Sequence, residues 1–429
     1  MPNVEKQKIL RALGTAERWF WLMNQNRPLQ FLLTASFHGT QSEERWHKAI
    51  GTAGTRHSML HVAVAQMDDE LVFVKASPRI SFRCVTRKND LHWKFVSEEE
   101  MNTPFTPESS ALLRVTLLQS DDKCDLILCF HHSIADAMSA MHFLHEILQT
   151  FHGVEFKPYE LPESMDKLIE EHLGSAPASS VDQPPQNWST AFRDQSKKAK
   201  VEVQTLTADQ TNLLREMTRK HGATIGHAVS AAFTLAGQQL SDAWQKLPVR
   251  IFLPIDLRSR LQLTDELLYA VGISVIVLDS GKSQEGFWQI VANAKEQLDS
   301  KLLPSSIVEN RMTIAGLYQG LNSAAEYAAL SEKIFGFDLL QTNLGAWNFA
   351  TTWGEMSLHR IAGPMVSVGF EGEQTVGLMT VAGKLTLTHL SFEPITGLLS
   401  RAIEILLSVM TESLKESIAN VDTHRLALG

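Results

Sequence analysis

The chain has 429 residues, 44% of them hydrophobic and 20% charged, with a formal net charge of −9. This composition excludes a mostly disordered chain, and the acidic balance argues against the basic face that nucleic acid requires. The length exceeds what one hydrophobic core usually fills, so two domains or two similar halves are expected. Three cysteines, Cys84, Cys124 and Cys129, show no metal-ligand spacing and imply a reducing compartment without a disulfide framework. The N-terminal stretch lacks a signal-peptide core, and no run approaches the roughly 18 apolar residues of a membrane span. A cytoplasmic protein is therefore expected.

In chain order, Thr15 caps a helix through Trp21 and Met23, and a strand follows near 29–37. Ser42 opens a second helix with Trp46, Ala49, Ile50 and Ala53 at helical spacing. Residues 60–66 and 71–76 form a hairpin turning at 67–70. Residues 111–118 and 124–130 form another, turning at 120–122. The run Leu126–Phe130 is continuously apolar, as in a strand buried on both faces. His131 to Asp136 is a short polar loop, and a helix runs from Ala137 to about Phe151 with Gly153 beyond its end. Residues 174–190 are rich in Ser, Ala and Pro and read as a linker. That divides the chain into a first lobe at 1–173 and a second at 191–429. In the second, strands are expected at 201–205, 249–254, 271–278, 366–368 and 385–390, and helices at 208–220, after Thr224, at 283–302 and at 394–418. Both halves are mixed α and β.

The strand–loop–helix at 126–151 is well suited to hold a reactive side chain, since rigid elements fix both ends of the loop. A neutral imidazole can accept the proton of an alcohol or amine attacking a carbonyl. Adjacent histidines point in different directions, so at most one of His131 and His132 faces a given cavity. Asp136, at the first turn of the helix, can accept backbone N–H bonds or pair with a buried arginine. A purely structural histidine bonded to backbone remains an alternative. A metal site is another, although neighbouring residues chelate one ion poorly and no further ligand cluster is evident.

The segment His131-His132-Ser133-Ile134-Ala135-Asp136 resembles the HHxxxDG signature of the superfamily of chloramphenicol acetyltransferases, carnitine acyltransferases, plant acyl-CoA acyltransferases and peptide-synthetase condensation domains. Four more segments resemble that superfamily in the expected order: Arg56-His57-Ser58-Met59-Leu60 (RHxxL), His221-Gly222-Ala223-Thr224 (HGxT), Pro254-Ile255-Asp256-Leu257-Arg258 (PVDLR) and Thr342-Asn343-Leu344-Gly345 (SNLG). The likeness spans about residues 10–420. Ala137 stands where the family usually has Gly, which a plain helix start accommodates.

The resemblance implies an α+β fold of two chloramphenicol acetyltransferase-like lobes, each a β-sheet flanked by helices, arranged in a V around a tunnel. It further implies an acyltransferase with His132 as general base and no resident cofactor or metal. The donor would be a thioester on coenzyme A or on an acyl or peptidyl carrier protein, and the acceptor a small alcohol or amine. His131 and Asp136 would be structural, Asp136 pairing with Arg258. Ser133, Asn343 and Gly345 are candidates for the tunnel or oxyanion region, with a tight turn as the alternative for the last two. Arg56 and His57 suit packing or capping. An amide-forming condensation enzyme on carrier-bound substrates, or a non-catalytic recruitment module of the same fold, are the alternatives.

Overall fold

A computed structural model describes residues 8–427, except 26, 69, 78–79, 107–110, 176–189 and 280–285. Most of the expected linker, part of the 67–70 turn and the start of the expected 283–302 helix lie outside the described residues. Twelve helices and three sheets are present among those described.

The strand Phe31–His38 shows how the first lobe is built. Its side chains alternate between faces, as a strand requires. Phe31, Leu33, Ala35 and Phe37 pack with Trp46, Ala49, Ile50 and Ala53 of the helix Glu43–Arg56 and with Met141, Leu144 and Leu148 of the helix Ala137–Thr150. Leu32 points the other way, toward Trp93 and Val96 of the helix His92–Asn102 and toward Val201 and Leu390 of the second lobe. The sheet is therefore covered on both sides, and its central strands read as near-continuous apolar runs. In space the strands follow the order Thr352–Trp353, Met356–Val366, Phe31–His38, Lys123–Phe130, Leu113–Gln119 and Ile80–Thr86.

The second sheet runs Val271–Leu278, Val249–Asp256, Leu339–Trp347, Gln374–Val381, Lys384–Ser391 and Lys200–Thr205. Its core is closed by the apolar helix Ile225–Leu240 and the start of the long helix Leu398–Ala427. Thr224 stands at the N-cap of Ile225–Leu240, and Thr207 caps Ala208–Lys220 through the Gln210 N–H at 3.2 Å.

Three expectations shift. The first helix starts at Thr15, but its N-cap is Gly14, whose N–H is taken by the Glu17 carboxylate at 2.7 Å. The strand expected at 366–368 is Met356–Val366, and it pairs with Phe31–His38 in the first lobe's sheet. Residues 352–366, placed with the second lobe by the linker reading, thus complete the first, so the two sheets do not divide at one point of the chain. The reason is hydrogen bonding: Phe31–His38 would otherwise be an edge strand with unpaired backbone groups. Finally, the last helix begins at Leu398, after Gly397 at φ +79°.

The lobes touch closely where this crossing strand passes the second sheet. A Cβ on Gly377 would lie 2.5 Å from the Pro364 carbonyl oxygen, a separation only glycine permits. Among the described residues no helix is long and apolar enough to cross a membrane, and no cluster of His, Cys, Asp and Glu could hold a metal ion.

Candidate active site

The loop from His131 to Asp136 leaves the buried strand Lys123–Phe130 and enters the helix Ala137–Thr150. Ala137 does not adopt a positive φ, so the usual glycine is not required here by backbone geometry. The two histidines diverge. His131 is 2% exposed, and its Nδ1 accepts from the Ser133 N–H at 3.1 Å and the Ser133 hydroxyl at 2.8 Å. Its proton therefore sits on Nε2, which is buried without a partner among the described residues. Burial, with the neighbouring His132 and Arg114, pulls its pKa down to about 3.

His132 has the opposite tautomer. Its Nδ1 lies 2.9 Å from the Ala135 carbonyl oxygen, which can only accept, so Nδ1 carries the proton and the Nε2 lone pair is free. The ring keeps some accessible surface and lines a cavity of about 750 Å³. Phe20 stacks on it at 4.3 Å, Phe31 lies at 4.5 Å, and Tyr269 approaches edge-on at 5.5 Å. Burial disfavours the imidazolium and lowers the pKa to about 4, against the raising effect of the Ala135 carbonyl and Asp136. The ring is thus neutral through the physiological range.

Asp136 is 2% exposed and turns away from that ring. Its carboxylate accepts from the Ser139 N–H at 2.8 Å, the Ala270 N–H at 2.9 Å and Arg258 Nη2 at 3.1 Å on each oxygen. Burial alone would raise its pKa, but Arg258 and the two backbone N–H groups outweigh it and the net shift is downward. Arg258 is held in turn by the carbonyls of Leu268 at 2.9 Å and Glu266 at 3.3 Å.

The structure brings His132, Asp136 and Asn343 onto one cavity wall, with Arg258 immediately behind. It does not bring Ser133 or Gly345 there. Ser133 is fully buried with its hydroxyl on His131, and the Gly345 N–H is taken by Asn343 Oδ1 at 2.9 Å, at an irregularity of the strand Leu339–Trp347 where Gly345 has φ +71°. Neither residue lines the cavity, and the donors of both are satisfied by a side chain two residues before them. The same bond orients Asn343, leaving its Nδ2 as a donor, packed where a Cβ on Gly226 would come within 3.1 Å. His57 is buried: Nε2 donates to Glu146 at 2.5 Å, and Nδ1 accepts from the Leu267 N–H at 3.2 Å.

Sequence reasoning missed Phe20, Phe31 and Tyr269. Tyr269 lines the cavity, burial pushes its phenol pKa up, and its hydroxyl has no hydrogen-bond partner among the described residues. Nothing in the sequence places residues 20, 31 and 269 around position 132.

Residues 195–302 match the family model for the phthiocerol/phthiodiolone dimycocerosyl transferase C-terminus. No curated protein matches. Among solved structures, polyketide synthase associated protein 5 from Mycobacterium tuberculosis is 16% identical, with 95% of this chain and 100% of that one covered and a TM-score of 0.67. The first condensation domain of the CDA synthetase is 14% identical over 93% and 96%, with a TM-score of 0.68. Trichothecene 15-O-acetyltransferase from Fusarium sporotrichioides is 14% identical over 95% and 96%, with a TM-score of 0.66. The two sheets with their covering helices, the match within the second lobe and the full-length likenesses agree, and the chain has the two-lobed fold of the condensation and chloramphenicol acetyltransferase-like superfamily.

Proposed function

We propose that this chain is an acyltransferase that moves an acyl group from a thioester to a hydroxyl or amine acceptor, with His132 Nε2 as the general base. The observation that carries the reading is the tautomer of His132: its Nδ1–H is committed to the Ala135 carbonyl, leaving the Nε2 lone pair for a cavity walled by both lobes. The acceptor's O–H or N–H hydrogen-bonds to Nε2 and loses its proton there as the oxygen or nitrogen attacks the thioester carbonyl. The imidazolium so formed returns the proton to the departing thiolate. A base of pKa about 4 is fully available at neutral pH but weak, so transfer is concerted with attack rather than complete before it. Tyr269 Oη–H, Asn343 Nδ2–H and the Thr342 hydroxyl are side-chain donors on the wall for the developing oxyanion.

Ser133 does not act as a covalent nucleophile, since its hydroxyl is turned onto His131. The thioester, on coenzyme A or a carrier protein, is substrate rather than resident cofactor. Support for acyl transfer comes from the acetyltransferase and condensation-domain structures of the same fold. The test is thiol release from a panel of acyl-CoAs and acyl carrier proteins with alcohol and amine acceptors, run beside His132→Ala. Acceptor-dependent thiol release lost in the variant supports the reading. Release unchanged in His132→Ala, or none with any donor and acceptor, removes it.

A further inference from the structure

A second cavity of about 540 Å³ lies against the first and shares with it the residues Phe20, Phe252, Tyr269 and Val368. The helices Thr15–Asn24 and Pro304–Tyr318 and the strands Val249–Asp256 and Val271–Leu278 enclose it. Its lining is apolar and mostly aromatic: Trp19, Phe20, Phe252, Ile314, Phe335 and Phe337. The polar groups in that wall are largely engaged with one another. Tyr318 Oη accepts from Trp19 Nε1 at 3.1 Å and bonds Ser331 Oγ at 2.6 Å, and Arg311 forms an ion pair with Asp166. Arg311 Nε and Nη2 are buried without a hydrogen-bond partner among the described residues, Nη2 being the atom of the Asp166 ion pair.

The two chambers differ in chemistry. The one holding His132 also carries Asp256, Thr342 and Asn343, groups suited to a polar nucleophile and to the polar arm of a thioester. The adjoining one offers a chain chiefly dispersion and burial, with the Arg311 guanidinium and the Tyr269 hydroxyl at its wall. Phe20, stacked on His132 and common to both, stands between them.

Resting on the acyl-transfer reading above, we infer that this aromatic chamber receives the acyl group of the donor, and that the acyl group is an uncharged aliphatic or aryl one. Phe20 and Tyr269 form the collar through which its carbonyl end emerges beside His132. The chamber sets acyl length, and Phe20 sets the angle at which the carbonyl meets the base.

The test separates binding from turnover. Calorimetry on the full chain uses S-alkyl thioethers of N-acetylcysteamine with chains of two to fourteen carbons, which have no carbonyl to transfer. Affinity is expected to rise by roughly fourfold per methylene until the chamber fills, with a negative heat-capacity change. The rise should flatten at shorter lengths in Ala16→Phe and in Ile314→Phe, which place a ring in the chamber from two different helices, so that a folding failure of one leaves the other. A matched chain ending in a carboxylate should bind at least tenfold more weakly. Affinity independent of length, or a length dependence untouched in both filled variants, overturns the assignment. So does tighter binding of the carboxylate-ended chain, which would make Arg311 an anion site. A series in which acceptor alkyl length rather than thioether length responds to Ala16→Phe overturns it too. Length-dependent thioether binding in a chain that transfers no acyl group leaves the chamber standing and removes only the acyl-transfer reading.

Discussion

Replacing Asp136 by alanine removes a carboxylate that makes four contacts with three donors: Ser139 N–H, Ala270 N–H and Arg258 Nη2, the last shared by both oxygens. What remains is a guanidinium 5% exposed, with Nε already unpartnered and only the Leu268 and Glu266 carbonyls to hold it. Breaking a buried pair by deleting one partner costs about 3–5 kcal/mol, and the lost helix cap adds about 1. The sum is a large share of the roughly 5–15 kcal/mol that holds a typical domain together. Asp136→Asn keeps an acceptor for the Ser139 N–H but turns an N–H₂ toward Arg258 or the Ala270 N–H. It should cost less, about 1.5–3 kcal/mol, as charge-assisted hydrogen bonds are lost.

The assay is equilibrium denaturation followed by the fluorescence of the nine tryptophans. Because two lobes need not unfold together, the midpoint shift is read rather than an extrapolated free energy. The double variant Asp136→Leu with Arg258→Met should be less destabilised than Asp136→Ala, since no uncompensated charge is left inside. An Asp136→Ala protein with an unchanged midpoint and abolished acyl transfer would refute the structural assignment and move Asp136 into the chemistry.

His132→Ala should lower acyl transfer by about 10²–10⁴-fold with little change in the midpoint. Because burial holds the His132 pKa at about 4, below the usual 6.5, the acid limb of the rate profile should fall near pH 4, with activity rising through that value and flat at neutrality; a limb at 6.5 contradicts the burial argument. His131 and His389 are both buried with pKa values lowered to about 3 and about 4 by desolvation. The unfolded chain binds the extra protons, so stability is at its plateau above pH 6.5 and declines as pH drops toward 4, by about 1.4 kcal/mol per pH unit for each group. His389→Gln, which can still donate to Gln374, should make that decline shallower in denaturation midpoints taken across the range. Gly377→Ala must push against the Pro364 backbone and should cost about 1–3 kcal/mol, whereas Gly51→Ala, on the exposed face of the helix Glu43–Arg56 with no atom within 4 Å of the new Cβ, should gain up to about 1; equal shifts would undo the close-approach argument.

What could be read in advance was what the chain states locally. The helix Glu43–Arg56 announces itself through Ser42 and the spacing of Trp46, Ala49, Ile50 and Ala53, all four buried on one side. The hairpin ending at Phe130 and the helix after Asp136 come from an apolar run and a capping aspartate, each within a few residues. The crossing of Met356–Val366 into the first sheet was not legible, because β pairing between residues hundreds of positions apart leaves no local periodicity that names the partner strand. Ser133 and Gly345 misled for a related reason. Both sit in motifs beside His132 and Asn343, yet the local backbone decides which donors face inward, and each donor here is closed on the side chain two residues before it.

The segment from Glu266 to Ala270 shows why the site itself falls between these two kinds of legibility. It belongs to the second half of the chain but is gripped by the first. His57 accepts the Leu267 N–H, Ser139 Oγ reaches the Leu268 carbonyl at 3.4 Å, and Asp136 accepts the Ala270 N–H, while Arg258 ties the carbonyls of Glu266 and Leu268. The residue carried inside that grip is Tyr269, whose ring closes over His132. His57 and Asp136 therefore bear on the His132 cavity through the position of Tyr269. Two motifs that look unrelated in sequence, Arg56-His57 and the aspartate after the paired histidines, converge on one short strap between the lobes. Geometry at His132 is then set by how the lobes are joined, so a lesion at either end of the strap should loosen the cavity before it unfolds either core.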